Sequence, residues 1–187
     1  MRQIIVTAFV SLDGVMEGPG GEQGYRNAGW TFKLVDFVPE AYELKGREQQ
    51  EASAVLVGRA SYEAFAPVWP TMPEFADYNA MPRYVVSTTL QHDDERWPAT
   101  ILRSIDDVAA LKQTDGGPIL VHGSAALARA LSDAGLVDRY NLLVFPLLLG
   151  AGKRLFSDGD QDAVRLALVE QAAYSNGIVK LVYDVRH

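Results

Sequence analysis

Three apolar runs in this sequence each end in small residues and hydrogen-bond donors. Val57-Gly58-Arg59-Ala60-Ser61-Tyr62 offers a guanidinium and a hydroxyl behind a glycine. Val86-Ser87-Thr88-Thr89 ends in hydroxyls, and Val121-His122-Gly123-Ser124-Ala125-Ala126-Leu127 passes through a glycine into a helix-forming run. Free backbone N–H groups at the start of a helix favour phosphate. Arginine grips phosphate oxygens with paired hydrogen bonds. In open α/β sheets, ligands bind beyond the carboxyl ends of the strands. These three junctions therefore point to a phosphorylated nucleotide.

Other chemistry fits poorly. Gly150-Ala151-Gly152-Lys153 is followed by Arg154, where a phosphate loop needs Ser or Thr, and Leu147 stands at its upstream glycine. The same stretch has Leu155 where a dinucleotide fingerprint needs its third glycine. Ser124 lacks the glycine two residues earlier that a nucleophile elbow requires; His122 is there. His92, His122 and His187 are scattered and the chain has no cysteine, so no metal site is expected.

The elements that must position the junctions alternate. Gln3 to Val10 reads as a buried strand, followed by a glycine-rich loop from Leu12 to Gly21 that is expected to be mobile. Pro39 opens a helix running to about Gln50. Strands are expected at Ala54–Val57, Arg83–Ser87, Thr100–Arg103, Ile119–Val121 and Arg139–Pro146. Helices are expected at Ser61–Phe65, at Ile105–Lys112 behind an N-capping Ser104, and at Ala125–Ala134 with Gly135 closing the end. Two strands from Ala163 to His187, joined at Asn176-Gly177, read as a hairpin. Trp30, Phe32 and Phe37 read as core residues rather than a substrate platform.

The 187 residues suit one domain, 1–187, with no internal repeat or linker. A net charge of -7 repels nucleic-acid backbones and anionic membranes, so neither is an expected partner. The first ten residues are too short for a secretory signal, no stretch is long enough to span a bilayer, and a cytoplasmic location is expected.

In order along nearly the whole chain, the sequence resembles the dihydrofolate reductase-like superfamily. It is most similar there to the reductase domain of bacterial riboflavin biosynthesis, the RibD C-terminal type, and its stand-alone relatives. The resemblance rests on Ser11-Leu12-Asp13-Gly14, Leu56 to Tyr62, Leu120 to Leu127, Gly135-Leu136-Val137-Asp138, Pro146 and Leu149 to Phe156. It implies an α/β three-layer fold with a mixed, mostly parallel sheet and a C-terminal antiparallel hairpin.

It also implies an NADPH-dependent reductase of a small pyrimidine- or pteridine-like compound, working as a homodimer. Arg59, helped by Ser87 and Thr88, would hold the 2′-phosphate. Gly58, Ser61, His122, Gly123, Ser124, Ala125 and Leu127 would line the pyrophosphate site, and Ala8 would lie beside the nicotinamide. Asp13 and the glycine loop would close over the reacting ring. Water, or an acid on the first helix among Asp36, Glu40 and Glu43, would deliver the proton, and Leu143 falls where the family places a threonine contacting that acid. The rival readings are a reductase of an unrelated small molecule and a nucleotide-binding module without turnover.

Overall fold

The expected strands assemble into one eight-stranded sheet, ordered β4-β3-β2-β5-β1-β6-β8-β7. The computed structural model describes residues 1–21, 24–156 and 162–186; His187 lies outside them. The strands are β1 (Ile4–Ser11), β2 (Ala54–Gly58), β3 (Arg83–Val86), β4 (Thr100–Leu102), β5 (Ile119–His122), β6 (Arg139–Phe145), β7 (Arg165–Ala173) and β8 (Val179–Arg186). β1 lies parallel to β5 and β6, β2 to β3 and β5, and β3 to β4. β8 runs antiparallel to both β6 and β7, so the hairpin turns the sheet mixed. This is the α/β three-layer architecture that the resemblance implies.

The helices are α1 (Trp30–Lys33), α2 (Glu43–Glu51), α3 (Arg59–Phe65), α4 (Ala76–Ala80), α5 (Ile105–Lys112) and α6 (Ala125–Asp133). A 3-10 turn over Pro39–Tyr42 leads into α2, so the helix expected from Pro39 starts four residues late. Ser104 caps α5 in a full capping box with Asp107, each satisfying an orphan N–H of the other. Gly135, at φ +65°, closes α6, and Leu136 N–H reaches back to the Leu131 carbonyl.

Alternation along the strands sends apolar side chains to both faces. One face, carrying Ile4, Val6, Ala8, Leu56 and Val121, packs against α5 and α6 residues such as Val108 and Leu131. The other carries Ile5, Val55, Val57 and Leu120 beneath Tyr62, Trp69, Tyr78 and Trp97. A third cluster, with Trp30, Leu44, Leu143 and Phe145, covers the β6 end of that second face. Trp30 is core, as expected, but Phe32 and Phe37 are exposed by 62% and 70%.

Candidate active site

The carboxyl ends of β2 and β5, with the loop that leaves β1, enclose a cleft of about 500 Å³. That size is usual for a small-molecule site. Gly58, Arg59 and Ser61 line it from one junction, and Gly123 to Leu127 line it from the other. The two junctions are stapled together by Ser124. Its Oγ accepts the Gly58 N–H at 2.8 Å and lies 2.9 Å from Ser61 Oγ. With 7% exposure, this hydroxyl is spent on the staple. What the turn presents to the cleft is therefore backbone.

Gly123 makes that presentation feasible. Its φ of +70° lies in the left-handed region that favours glycine. A Cβ there would sit 2.8 Å from the Phe65 ring. Phe65, Trp69 and Phe75 stack in series, with centroids 4.2 and 4.4 Å apart, and form an aromatic wall of the cleft. Lys153 from the 147–155 segment and Met16 to Gly20 from the glycine loop complete the rim.

Several expected residues take other roles. Ser87 and Thr88 do not line the cleft. The Ser87 hydroxyl turns the chain after β3 by accepting the N–H groups of Thr89 and Leu90, and Thr88 is exposed. The hydroxyl beside Arg59 is Thr89, whose Oγ1 accepts from Arg59 Nη1 at 2.8 Å. Ala8 belongs to the core on the far face and borders the inner recess of the cleft. Asp36, Glu40 and Glu43 are exposed and none lines the cleft.

Asp13 is an anchor rather than a lid residue. Its carboxylate accepts from the Ser11 hydroxyl at 2.5 Å, Leu149 N–H at 3.1 Å and Gly150 N–H at 2.8 Å. Chiefly because of the Ser11 hydroxyl, its pKa is lowered from 3.8 to about 2. Backbone bonds from Leu12 to Leu147, Met16 to Lys153 and Leu155 to Gly14 continue the ribbon. The first half of the glycine loop is thus fastened to the 147–155 segment, against the expectation of mobility. Asp13→Asn should destabilise the fold by about 1–2 kcal/mol at neutral pH, since an amide cannot accept both backbone donors. A group with a depressed folded pKa stabilises above its unfolded value and loses that contribution as pH falls. The difference between wild type and variant in urea titrations should therefore be complete above pH 3.8 and fade as pH falls towards about 2.

Beneath the cleft lies a polar row that the sequence reading missed. Thr7 on β1 pairs in register with His122 on β5 and with Asn141 on β6, so all three project from the same face. Two residues of α2 lie over them. Glu48 Oε2 accepts from Thr7 Oγ1 at 2.9 Å, and Glu48 Oε1 accepts from Asn141 Nδ2 at 2.8 Å. Lys45 donates to Thr7 Oγ1, and its Nζ lies 3.4 Å from Glu48 Oε2. The buried acid of the first long helix is thus Glu48, and its strand partner is Asn141, two residues before Leu143, which is fully buried in the core. His122 packs edge-on to Phe65, Trp69 and Tyr78, and its Nδ1 is buried with no hydrogen-bond partner among the described residues. Burial, aided by the Lys45 charge, lowers its pKa to about 3, so the ring is neutral at ordinary pH.

Among the described residues no group of His, Asp and Glu is clustered to hold a metal ion, and no helix is long and apolar enough to cross a membrane. A mostly parallel sheet with a terminal antiparallel hairpin and a cleft over β1, β2 and β5 defines a dihydrofolate reductase-like reductase fold. The comparisons agree. The RibD C-terminal domain profile matches residues 2–180, and the chain belongs to that family. It is 28% identical to the uncharacterized protein YyaP of Bacillus subtilis (strain 168), over 97% of this chain and 94% of that one. A putative riboflavin biosynthesis protein from Shewanella sp. PV-4 superposes with a TM-score of 0.80 at 16% identity, over 99% of both chains. Dihydrofolate reductase from Enterococcus faecalis, in complex with NADP(H) and RAB-propyl, superposes with a TM-score of 0.63 at 16% identity, over 99% of this chain and 97% of that one.

Proposed function

We propose that this protein uses NADPH to reduce a small heterocyclic compound, pyrimidine- or pteridine-like. The observation that carries this reading is the continuity of the cleft. A backbone turn able to meet phosphate, Gly123 to Leu127, opens directly onto an aromatic wall and a buried polar row. The residues fit the dinucleotide. The Gly123 turn has no side chain in the way, and Arg59 stands half exposed at the outer end with Thr89. The N–H groups at the start of α6 would meet the pyrophosphate, and Arg59 the 2′-phosphate. Phe65, Trp69 and Phe75 would flank a planar ring and exclude water from it. The cofactor, when bound, supplies the hydride.

The test compares the two nicotinamide dinucleotides. NADPH should raise the melting temperature in a concentration-dependent way, and more than NADH does, since only the folded state binds it. Arg59→Ala should weaken NADPH by roughly 10- to 100-fold, because one charge-assisted hydrogen bond contributes about 1.5–3 kcal/mol. NADH affinity should hardly change. Calorimetry on both proteins reads this directly, and equal losses for the two dinucleotides would remove the 2′-phosphate assignment. NADPH absorbance followed with a panel of pterins and aminopyrimidines then finds the substrate.

A homodimer belongs to the same reading. Leu166, Leu168 and Val169 are exposed on the terminal strand β7, a patch that a second copy could cover. Light scattering that returns the mass of one chain at every concentration would remove this part.

A further inference from the structure

The inner end of the cleft narrows to a recess of about 20 Å³ lined by Thr7, Ala8, Phe9, Met16, Pro19, Lys45, His122 and Gly123. Such a space holds one water molecule or one heteroatom of a ligand. It shares Phe9, Met16, Pro19, His122 and Gly123 with the main cleft, so a ring lying in the cleft can place one atom in it. Lys45 reaches this recess from α2 and keeps 13% of its side chain exposed. Its ammonium has three N–H groups. One is donated to Thr7 and one is directed at Glu48; the third meets no acceptor among the described residues. The charge also lies 4.9 Å from the centre of the Phe9 ring, a cation–π contact that helps to hold the side chain.

We propose that Lys45 is the catalytic acid of the reduction, holding the heteroatom of the substrate's C=O or C=N bond in this recess and protonating it. This rests on the reductase reading above. The hydride that a bound reduced dinucleotide would supply makes the new C–H bond at the carbon. The π pair moves to the heteroatom, which takes a proton from Lys45 Nζ. The neutral amine left behind regains its proton from water.

The other titratable groups do not compete. Asp13 is ionised and fully engaged by the 149–150 backbone. His122 is neutral and can only orient the heteroatom. Glu48 accepts from Asn141, Thr7 and Lys45 and so acts as a positioning residue. Tyr78, from α4, is packed edge-on against His122 and does not line the cleft or the recess. Lys153 is 60% exposed at the rim and paired with Glu17. Burial lowers the pKa of Lys45 from 10.5, opposed by the Glu48 charge, which makes the ammonium a better acid than a surface lysine. A fixed cation also repels a substrate that arrives already protonated. The substrate class is therefore an uncharged carbonyl or imine with an uncrowded heteroatom.

The test has an arm that needs no substrate. The chain has five lysines. With wild-type protein and limiting formaldehyde and cyanoborohydride near neutral pH, Lys45 should be methylated first, as peptide mass mapping would show. Formaldehyde is itself a carbonyl small enough for the recess. NMR of 13C-labelled lysine should show one resonance titrating below the other four, absent from Lys45→Met. NADPH should protect Lys45 from methylation. On the compound reduced fastest by wild type, Lys45→Met and Lys45→Arg should each lose at least ~100-fold in kcat while keeping NADPH affinity. The wild-type rate should be flat at low pH and fall above the pKa of Lys45. A Lys45 that titrates with the other lysines or reacts last overturns the proposal, as does normal turnover by Lys45→Met or rescue by Lys45→Arg. A reactive, low-titrating Lys45 in a protein that binds no NADPH overturns the reductase reading instead.

Discussion

Gly123→Val is expected to abolish NADPH binding. Gly123 stands at φ +70°, where a β-branched residue is strongly disfavoured. Its new Cβ would meet Phe65 Cζ at 2.8 Å and Cε2 at 3.3 Å. Phe65 cannot easily give way, since its other face stacks on Trp69 at 4.2 Å. The turn must therefore open, and the N–H groups that follow it leave their places on the cleft. Losing two amide–phosphate hydrogen bonds, each charge-assisted, corresponds to about 3–6 kcal/mol, or roughly 100-fold to 20,000-fold in affinity. The strained backbone should also cost about 2–3 kcal/mol of stability. Circular dichroism at low temperature separates the two effects. A variant that is folded and still binds NADPH as wild type does would show that this turn does not meet the phosphates.

The contrast between this turn and the floor beneath it explains what could be read from the sequence. The glycine junctions at Gly58 and Gly123 announce themselves because strand, turn and helix are consecutive, and each local signal agrees with its neighbours. The Ser104 cap, the Gly135 stop and the Asn176-Gly177 turn are local in the same way, and all three form. Asp13 is different. The backbone groups it anchors lie 136 and 137 residues away, so its neighbours in the chain could not distinguish an anchor from a lid. The aromatic wall was hidden as well. Trp69 and Phe75 sit in a segment built of two 3-10 turns around Pro70 and Pro73, which has no helical or strand periodicity to read.

The polar row did leave a trace. Thr7, His122 and Asn141 each interrupt or end an apolar strand, and a buried polar group requires a partner. Only the strand order and register bring the three into line. The helix above them, ELKGREQQE, carries Leu44 as its one apolar side chain and so has no apolar stripe to read. It lies on the sheet because Leu44 fills the core and Glu48 meets the donors of the row. The resemblance places the acid among Asp36, Glu40 and Glu43, which stand at the exposed start of the segment.

Glu48→Leu is expected to be among the most destabilising single changes in the protein. Glu48 is 4% exposed and its two oxygens accept from Thr7 and Asn141 with Lys45 close by. Leucine fills similar space but leaves the ammonium without its countercharge and the Asn141 amide without an acceptor. Breaking a buried ion pair from one side costs about 3–5 kcal/mol, out of a total stability of about 5–15 kcal/mol. Adding Lys45→Met removes the stranded cation, and the double variant should recover most of the loss, as replacing a whole buried pair often does. A double variant no more stable than Glu48→Leu in urea would mean that the two residues do not stabilise each other. Glu48→Gln asks a finer question, because it keeps the shape and one acceptor while removing the charge. The carboxylate raises the pKa of Lys45 against the effect of burial. Its loss should therefore move the lysine titration, and the fall of kcat at high pH with it, to lower pH. A purely structural Glu48 would change the melting temperature and leave both titrations where they were.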